Sequence, residues 1–263
     1  DEETRARLIA EDPKSAEVIR PFLAGREVKR YLTPSPTRYL ILFEKGWTNR
    51  NSGSTPDKWN WLKSTYPAIA SHLEPFTESG EKRYDKGDYW WELRACDYYQ
   101  EFEKPKIIVP AIVRKGSYAY DERSAYSNDK TSIIPCSDIY LLGILNSKVA
   151  DFVVHLISST KRGGYYEYKP MYISQIPIRP IDPASPSDVA RRDRIVALVE
   201  SLLAMNRALA GEISPEERVR LEAACGEADA EIDRIVYALY GLTDEEIAIV
   251  EGEGKQMSLS EMS

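Results

Sequence analysis

The residues best suited to contact chemistry lie at 159–169, STKRGGYYEYK. Lys161, Arg162 and Lys169 supply cations, and Tyr165, Tyr166 and Tyr168 add aromatic rings and hydroxyls. The pair Gly163-Gly164 lets backbone approach a phosphate closely and take positive φ. Three other loops carry related side chains. GWTNRNSGSTP at 46–56 reads as a flexible loop holding Arg50 and Asn51, residue types that make bidentate contacts to base edges. Residues 114–117 hold Arg114 and Lys115, and residues 128–131 hold Asn128 and Lys130, each in turn chemistry. The same composition also fits ordinary solvated loops. Arg26, Lys29 and Arg30 form a further cluster, for which a salt-bridged structural turn is preferred over a phosphate patch.

A rigid frame has to present these loops. Leu141, Leu142, Leu145, Val149, Phe152, Val153 and Leu156 recur at helical spacing behind the caps Ser137 or Asp138, predicting one helix. Ile173, Ile176 and Ile178 lead the chain back into apolar surroundings. Asp12-Pro13 predicts another helix, with Ala16, Ile19, Phe22 and Leu23 as its stripe and Gly25 closing it. Residues 38–43 alternate as a strand, and Thr55-Pro56 opens a helix that Pro67 interrupts. KIIVPAIV at 106–113 predicts a central strand with a bulge or edge at Pro110, followed by a hairpin turn at 114–117 into 118–120. Strands interleaved with helices make an α+β class with a mixed sheet.

After Pro180 the pattern changes. Residues 188–209 and 215–242 form two helices, the second with a 4-3 apolar seam from Leu221 to Leu242. The short link at 211–215 makes them an antiparallel, coiled-coil-like hairpin. The expected division is therefore 1–180 and 181–263.

The net charge of −7 is unevenly placed. Residues 1–180 hold 27 Lys+Arg against 24 Asp+Glu, a balance of +3, and residues 181–263 hold 8 against 18, a balance of −10. The first part is mildly basic, which gives weak support to an anionic partner. Cys96, Cys136 and Cys225 fit neither a disulfide framework nor a metal spacing, as expected in a reducing cytoplasm. No apolar run of membrane-spanning length occurs, so no membrane partner is expected. The chain begins at Asp1 and its first methionine is Met171, which reads as a fragment.

LLGILNSKVADFVV at 141–154 followed by GGYYEYKPMYISQIPI at 163–178 resembles the TaqI-like C-terminal specificity domain. PFLAGREVKRY at 21–31, WWELRACDYYQEFEKPKIIVPAI at 90–112 and VYALYGLTDEEIAIV at 236–250 fit the same pattern in the same order. That domain occurs in type IIG restriction enzymes and adenine-specific DNA methyltransferases. The resemblance implies a target-recognition module for double-stranded DNA that works beside its own N-terminal methyltransferase or nuclease domain. It implies no catalytic residue and no cofactor in this segment, with S-adenosylmethionine expected in the methyltransferase part.

The residues agree with catalytic silence. There is no Asn-Pro-Pro-aromatic motif and no glycine-rich nucleotide loop. His72 and His155 are the two histidines, neither in a metal spacing. Glu-x-Lys occurs at Glu167–Lys169 and Glu253–Lys255, a spacing that chance produces often in so charged a chain. The competing reading is a protein-interaction module whose helical hairpin docks a partner chain.

Overall fold

The structure, a computed structural model, describes residues 1–252. In chain order the elements are α1 (Glu2–Glu11), β1 (Ile19–Leu23), β2 (Arg38–Ile41), α2 (Trp47–Ser52), α3 (Lys58–Thr65), α4 (Pro67–Leu73), α5 (Thr77–Glu81) and α6 (Tyr99–Phe102). Next come β3 (Lys106–Pro110), β4 (Ile112–Val113), β5 (Ala119–Asp121), β6 (Tyr126–Ser127), β7 (Thr131–Ile134), α7 (Ile139–Asn146) and α8 (Lys148–Ile157). The chain continues through β8 (Thr160–Lys161), β9 (Tyr165–Glu167), α9 (Pro170–Ile173), α10 (Pro186–Leu209), α11 (Pro215–Tyr240) and α12 (Asp244–Val250). The class is α+β, with small mixed and antiparallel sheets and a helical hairpin near the C-terminal end.

These elements form two compact units, each assembled from separate stretches of chain. The first comprises residues 1–23, 35–105 and 122–127. Its sheet has the order β2-β1-β6, antiparallel between β1 and β2 and parallel between β1 and β6. Leu8, Phe43, Leu62, Tyr66, Ile69 and Trp91 build its core. The fully buried Glu92 carboxylate accepts the backbone N–H groups of Gly46, Thr48 and Asp88. A buried anion with three donors is satisfied, and here it also starts a helix, because two of those donors belong to the first turn of α2.

The second unit comprises residues 24–34, 106–121 and 128 onward. β3 is fully buried and pairs antiparallel with β5 on one side and β7 on the other. A second sheet has the order β4-β9-β8. Ile195, Val199 and Leu202 of α10 and Ala228, Ile232 and Val236 of α11 belong to one buried core with Leu142 and Ile144 of α7. Each Val, Leu or Ile among them contributes roughly 1.5–3 kcal/mol when fully buried. Ser185 and Ser214 cap α10 and α11, proline occupies each first turn, and Gly241 ends α11 with φ +67°.

Several expectations need correction. After Asp12 the chain makes a single 3₁₀ turn at Pro13–Glu17 and then enters β1, so the stripe at Ile19, Phe22 and Leu23 belongs to a strand. Asp12 does cap that turn, accepting from the Lys14 N–H. Pairing with residues 38–41 and 126–127 outweighs the local helical spacing. Residues 46–56 are largely helix α2 rather than a flexible loop. The single helix expected over 138–156 is two helices, α7 and α8, bent by 60°. Ser147 makes the break: its hydroxyl donates to the Ile144 carbonyl and caps α8 by accepting from the Ala150 N–H. Residues 114–117 do not close a hairpin, because β4 pairs with β9 whereas β5 pairs with β3. Pro110 does mark an interruption, separating β3 from β4.

Among the described residues no single helix is long and apolar enough to cross a membrane, though the bent α7–α8 pair reaches that composition. Most of α7 is buried in the core of its unit.

Candidate nucleic-acid interface

The β4-β9-β8 sheet gathers most of the residues singled out above. Thr160 pairs with Tyr166 and Lys161 with Tyr165, so Arg162, Gly163 and Gly164 form a three-residue hairpin loop. Gly163 and Gly164 have φ of +88° and +74°, a backbone that side-chain-bearing residues adopt at a cost. The result is a narrow ribbon with Arg162 at its tip. Val113 pairs with Tyr166, which brings the following residue, Arg114, over the Tyr165 ring at 5.0 Å from its centroid.

Charge on this ribbon is partly compensated. Glu167 Oε1 pairs with Lys161 Nζ at 2.9 Å and with Lys169 Nζ at 3.0 Å. Hydrogen bonds from Lys161 and then Lys169 hold the Glu167 carboxyl below its ordinary range. Both lysines remain about half exposed, so their ammonium groups are oriented without being covered. Arg114, Lys115 and Arg162 are exposed cations with no acidic partner among the described residues.

The turn at 128–131 joins the same region through one backbone position. Ala111 N–H donates to the Lys130 carbonyl at 2.9 Å, and the Ala111 carbonyl accepts the Tyr168 N–H at 2.9 Å. At ordinary strand spacing, Lys130 and Tyr168 then lie about 10 Å apart across Ala111. Asn128 Oδ1 accepts the Lys130 N–H, fixing the turn, and Lys130 Nζ pairs with Asp129 at 2.9 Å on the surface. Gly25 supports this turn, since a Cβ there would sit 2.4 Å from the Lys130 carbonyl oxygen.

Arg50 and Asn51 belong to the first unit and lie on α2. Arg50 is held by the Lys45 carbonyl and Glu44, and the Asn51 amide caps back onto the Trp47 carbonyl. Both are exposed, but each already has a local partner. Of the basic cluster before Tyr31, Arg30 is the structural member, bonded to Asp229 and to the Asn146 carbonyl, whereas Arg26 and Lys29 are exposed.

The sequence reading passed over the support beneath the ribbon. Asp151 and His155 stand one turn apart on α8, and both reach Tyr168. The His155 ring stacks on Tyr166 at 3.7 Å between centroids and 16° between planes. An acid and a histidine four apart on a predicted helix were the available signal.

No group of three or more His, Cys, Asp or Glu able to hold a metal occurs among the described residues. The second unit contains a cleft of ≈ 320 Å³ lined by Val109, Ile133, Leu141, Leu145, Ile173 and Ile176, among others, with Ser132 and Ser174 as its polar side chains. That apolar lining does not fit a charged methyl donor, which needs acidic and hydrogen-bonding partners. The pair Glu167–Lys169 is an ion pair at a strand end between a buried carboxylate and a half-exposed ammonium, and Glu253–Lys255 lies outside the described residues.

The TaqI-like C-terminal specificity domain family matches residues 20–178, and the chain belongs to that family. No curated protein matches it. Among solved structures it is similar to the type IIL restriction-modification enzyme MmeI in complex with DNA, with a TM-score of 0.59 at 16% identity. The likeness covers 94% of this chain and 31% of that one, and it establishes the fold.

Proposed function

We propose that this chain reads duplex DNA as the specificity element of a restriction-modification protein. The observation that carries the reading is the ribbon. A specificity-domain chain places Arg114, Lys161, Arg162, Tyr165 and Lys169 on one small sheet whose narrow tip is a cation beside two positive-φ glycines. A two-stranded ribbon is one of the shapes that the major groove admits. Arg162, Arg114 and Lys115 are the phosphate or base contacts, and Lys161, Lys169, Tyr165 and Tyr166 line the same surface. Asn128 and Lys130 extend it, and Arg50 and Asn51 offer a second contact region in the other unit. Residues 1–180 carry the reading surface, and the helical pair within 181–263 serves as scaffold.

The partner that performs chemistry is, in this reading, an N-terminal methyltransferase or nuclease domain of type IIG character, and S-adenosylmethionine belongs to it. The working place of such a protein is the cytoplasm, where its DNA is. Docking of a foreign chain by the helical hairpin is less favoured, because the apolar positions of α10 and α11 are already used against each other and against α7.

The test is binding of a fluorescent mixed-sequence duplex across a salt series. Weak, salt-sensitive binding is expected, since counterion release supplies the nonspecific affinity. Arg162→Ala and Lys161→Ala should each lower the salt slope by about one unit if the residue contacts a phosphate. Unchanged slope and affinity in both variants would remove the ribbon from the interface.

A further inference from the structure

Asp151 is an acidic residue beneath the cations of the β4-β9-β8 sheet, where an anion opposes phosphate binding. Its contacts explain its presence. Asp151 Oδ1 accepts the Gly116 N–H at 2.7 Å and the Tyr168 hydroxyl. Gly116 immediately follows Arg114 and Lys115, and Tyr168 sits between Glu167 and Lys169. One carboxylate oxygen on α8 therefore ties the 114–117 turn to the end of the 160–169 segment. The approach at Gly116 is close: a Cβ there would lie 3.3 Å from Asp151 Oδ1 and 3.2 Å from the Tyr118 ring. Tyr168 is fully buried and cannot swing away to bond elsewhere.

The proton inventory adds a third member. The Tyr168 phenol has one proton, and an ionised carboxylate only accepts, so that proton lies toward Asp151. His155 Nε2, 3.2 Å from the same phenol oxygen, must then be the donor, with its proton on Nε2. His155 in turn stacks on Tyr166 of β9. Asp151, Tyr168 and His155 thus fix both strand β9 and the Arg114–Lys115 turn to a single helix.

We propose that Asp151 is the positioning residue of the DNA-reading surface: through Gly116 and Tyr168 it sets the spacing between the Arg114–Lys115 turn and the 160–169 ribbon. This rests on the DNA reading of that surface. Its function is geometric, and its charge works against the ligand, so the two effects have opposite signs in an experiment.

The experiment measures duplex binding by the full chain over a salt series for Asp151→Ala, Asp151→Asn and Tyr168→Phe, beside Arg162→Ala and Lys161→Ala. If Asp151 positions the turn, Asp151→Ala weakens binding and lowers the salt slope by about two units, the share of Arg114 and Lys115. Asp151→Asn keeps an acceptor oxygen and restores most of the slope. Tyr168→Phe removes one hydroxyl with no change of charge and lowers affinity. If Asp151 is only a nearby charge, both Asp151 variants bind more tightly and Tyr168→Phe is silent, which overturns the proposal. Should Asp151→Ala fail to melt cooperatively, Tyr168→Phe decides alone: an unchanged affinity refutes positioning. Silence of Arg162→Ala and Lys161→Ala would refute the DNA reading of this surface. Loss of binding in those two with silence at Asp151 and Tyr168 refutes only the positioning role.

Discussion

Arg30 Nη2 and Asp229 Oδ1 meet at 2.5 Å across 199 residues of sequence. Arg30 also donates to the Asn146 carbonyl at the end of α7, and its guanidinium lies 5.1 Å from the Tyr31 ring centroid. The side chain is 19% exposed and its partner 25%. A single cation thus bolts the 24–34 segment to both α7 and α11.

Replacing Arg30 by Met is expected to destabilise the chain by about 2–4 kcal/mol, because a partly covered carboxylate and a helix-end carbonyl lose their donor. The same variant should leave the salt slope of DNA binding unchanged, whereas exposed Arg26 and Lys29 are free to affect it. Urea unfolding and the binding titration together check both halves.

Lys106 and Asp121 form an ion pair at 2.7 Å with both side chains fully buried, on the adjacent strands β3 and β5. Lys106→Met should cost about 3–5 kcal/mol by removing the cation that faces a buried carboxylate. The double variant Lys106→Met/Asp121→Leu should recover most of that loss. A double-mutant cycle by urea denaturation measures it, and additive losses would contradict the pairing.

Gly143 marks where α7 packs against α10. A Cβ there would fall 2.6 Å from Ile195 Cγ2 and 3.0 Å from Val199 Cγ2. Gly143→Ala should therefore destabilise by about 1–3 kcal/mol from overpacking, despite alanine's better helix propensity. Adding Ile195→Leu, which removes the offending branch, should return part of the loss. Thermal melts of the single and double variants provide the comparison.

Tyr66, Tyr99 and Tyr140 are each pushed from 10.0 up to about 12, chiefly by burial. A raised native pKa means the folded chain holds protons that the unfolded chain has released. Their contribution is complete below pH 10 and is lost as pH rises toward about 12. Urea midpoints should hold steady up to pH 10 and then fall, and a rise over that interval would contradict the burial of these phenols.

The helical hairpin was legible because its seam, Pro215 at the start of its second helix, Gly241 at the end and its short link are all local signals. β1 was not, because Ala16, Ile19, Phe22 and Leu23 satisfy a helical stripe as well, and its strand state depends on partners at 38–41 and 126–127. Helix α2 was hidden for the same reason: the carboxylate that starts it is Glu92, more than forty residues away. Ser147 as a helix break was written in the sequence as a cap residue but was outvoted by an unbroken apolar stripe. In the candidate interface the cations could be read directly. The ribbon that gathers Arg114 with Tyr165 and the anchoring by Asp151 required pairings that no local pattern encodes.

The first unit is not a continuous piece of chain, and this matters while the protein is being made. Within this unit residues 1–23 leave the ribosome before the rest, but β1 lies between β2 and β6, and β6 is supplied by residues 126–127. The usual order, in which the earlier of two units finishes folding before the next begins, is not open to this pair. The opening strand must keep one edge unfilled until more than a hundred further residues have emerged, by which time β3 and β5 of the other unit are already present. Nascent chains halted before residue 122 should therefore hold that edge exposed, and synthesis of a few residues more is what closes it.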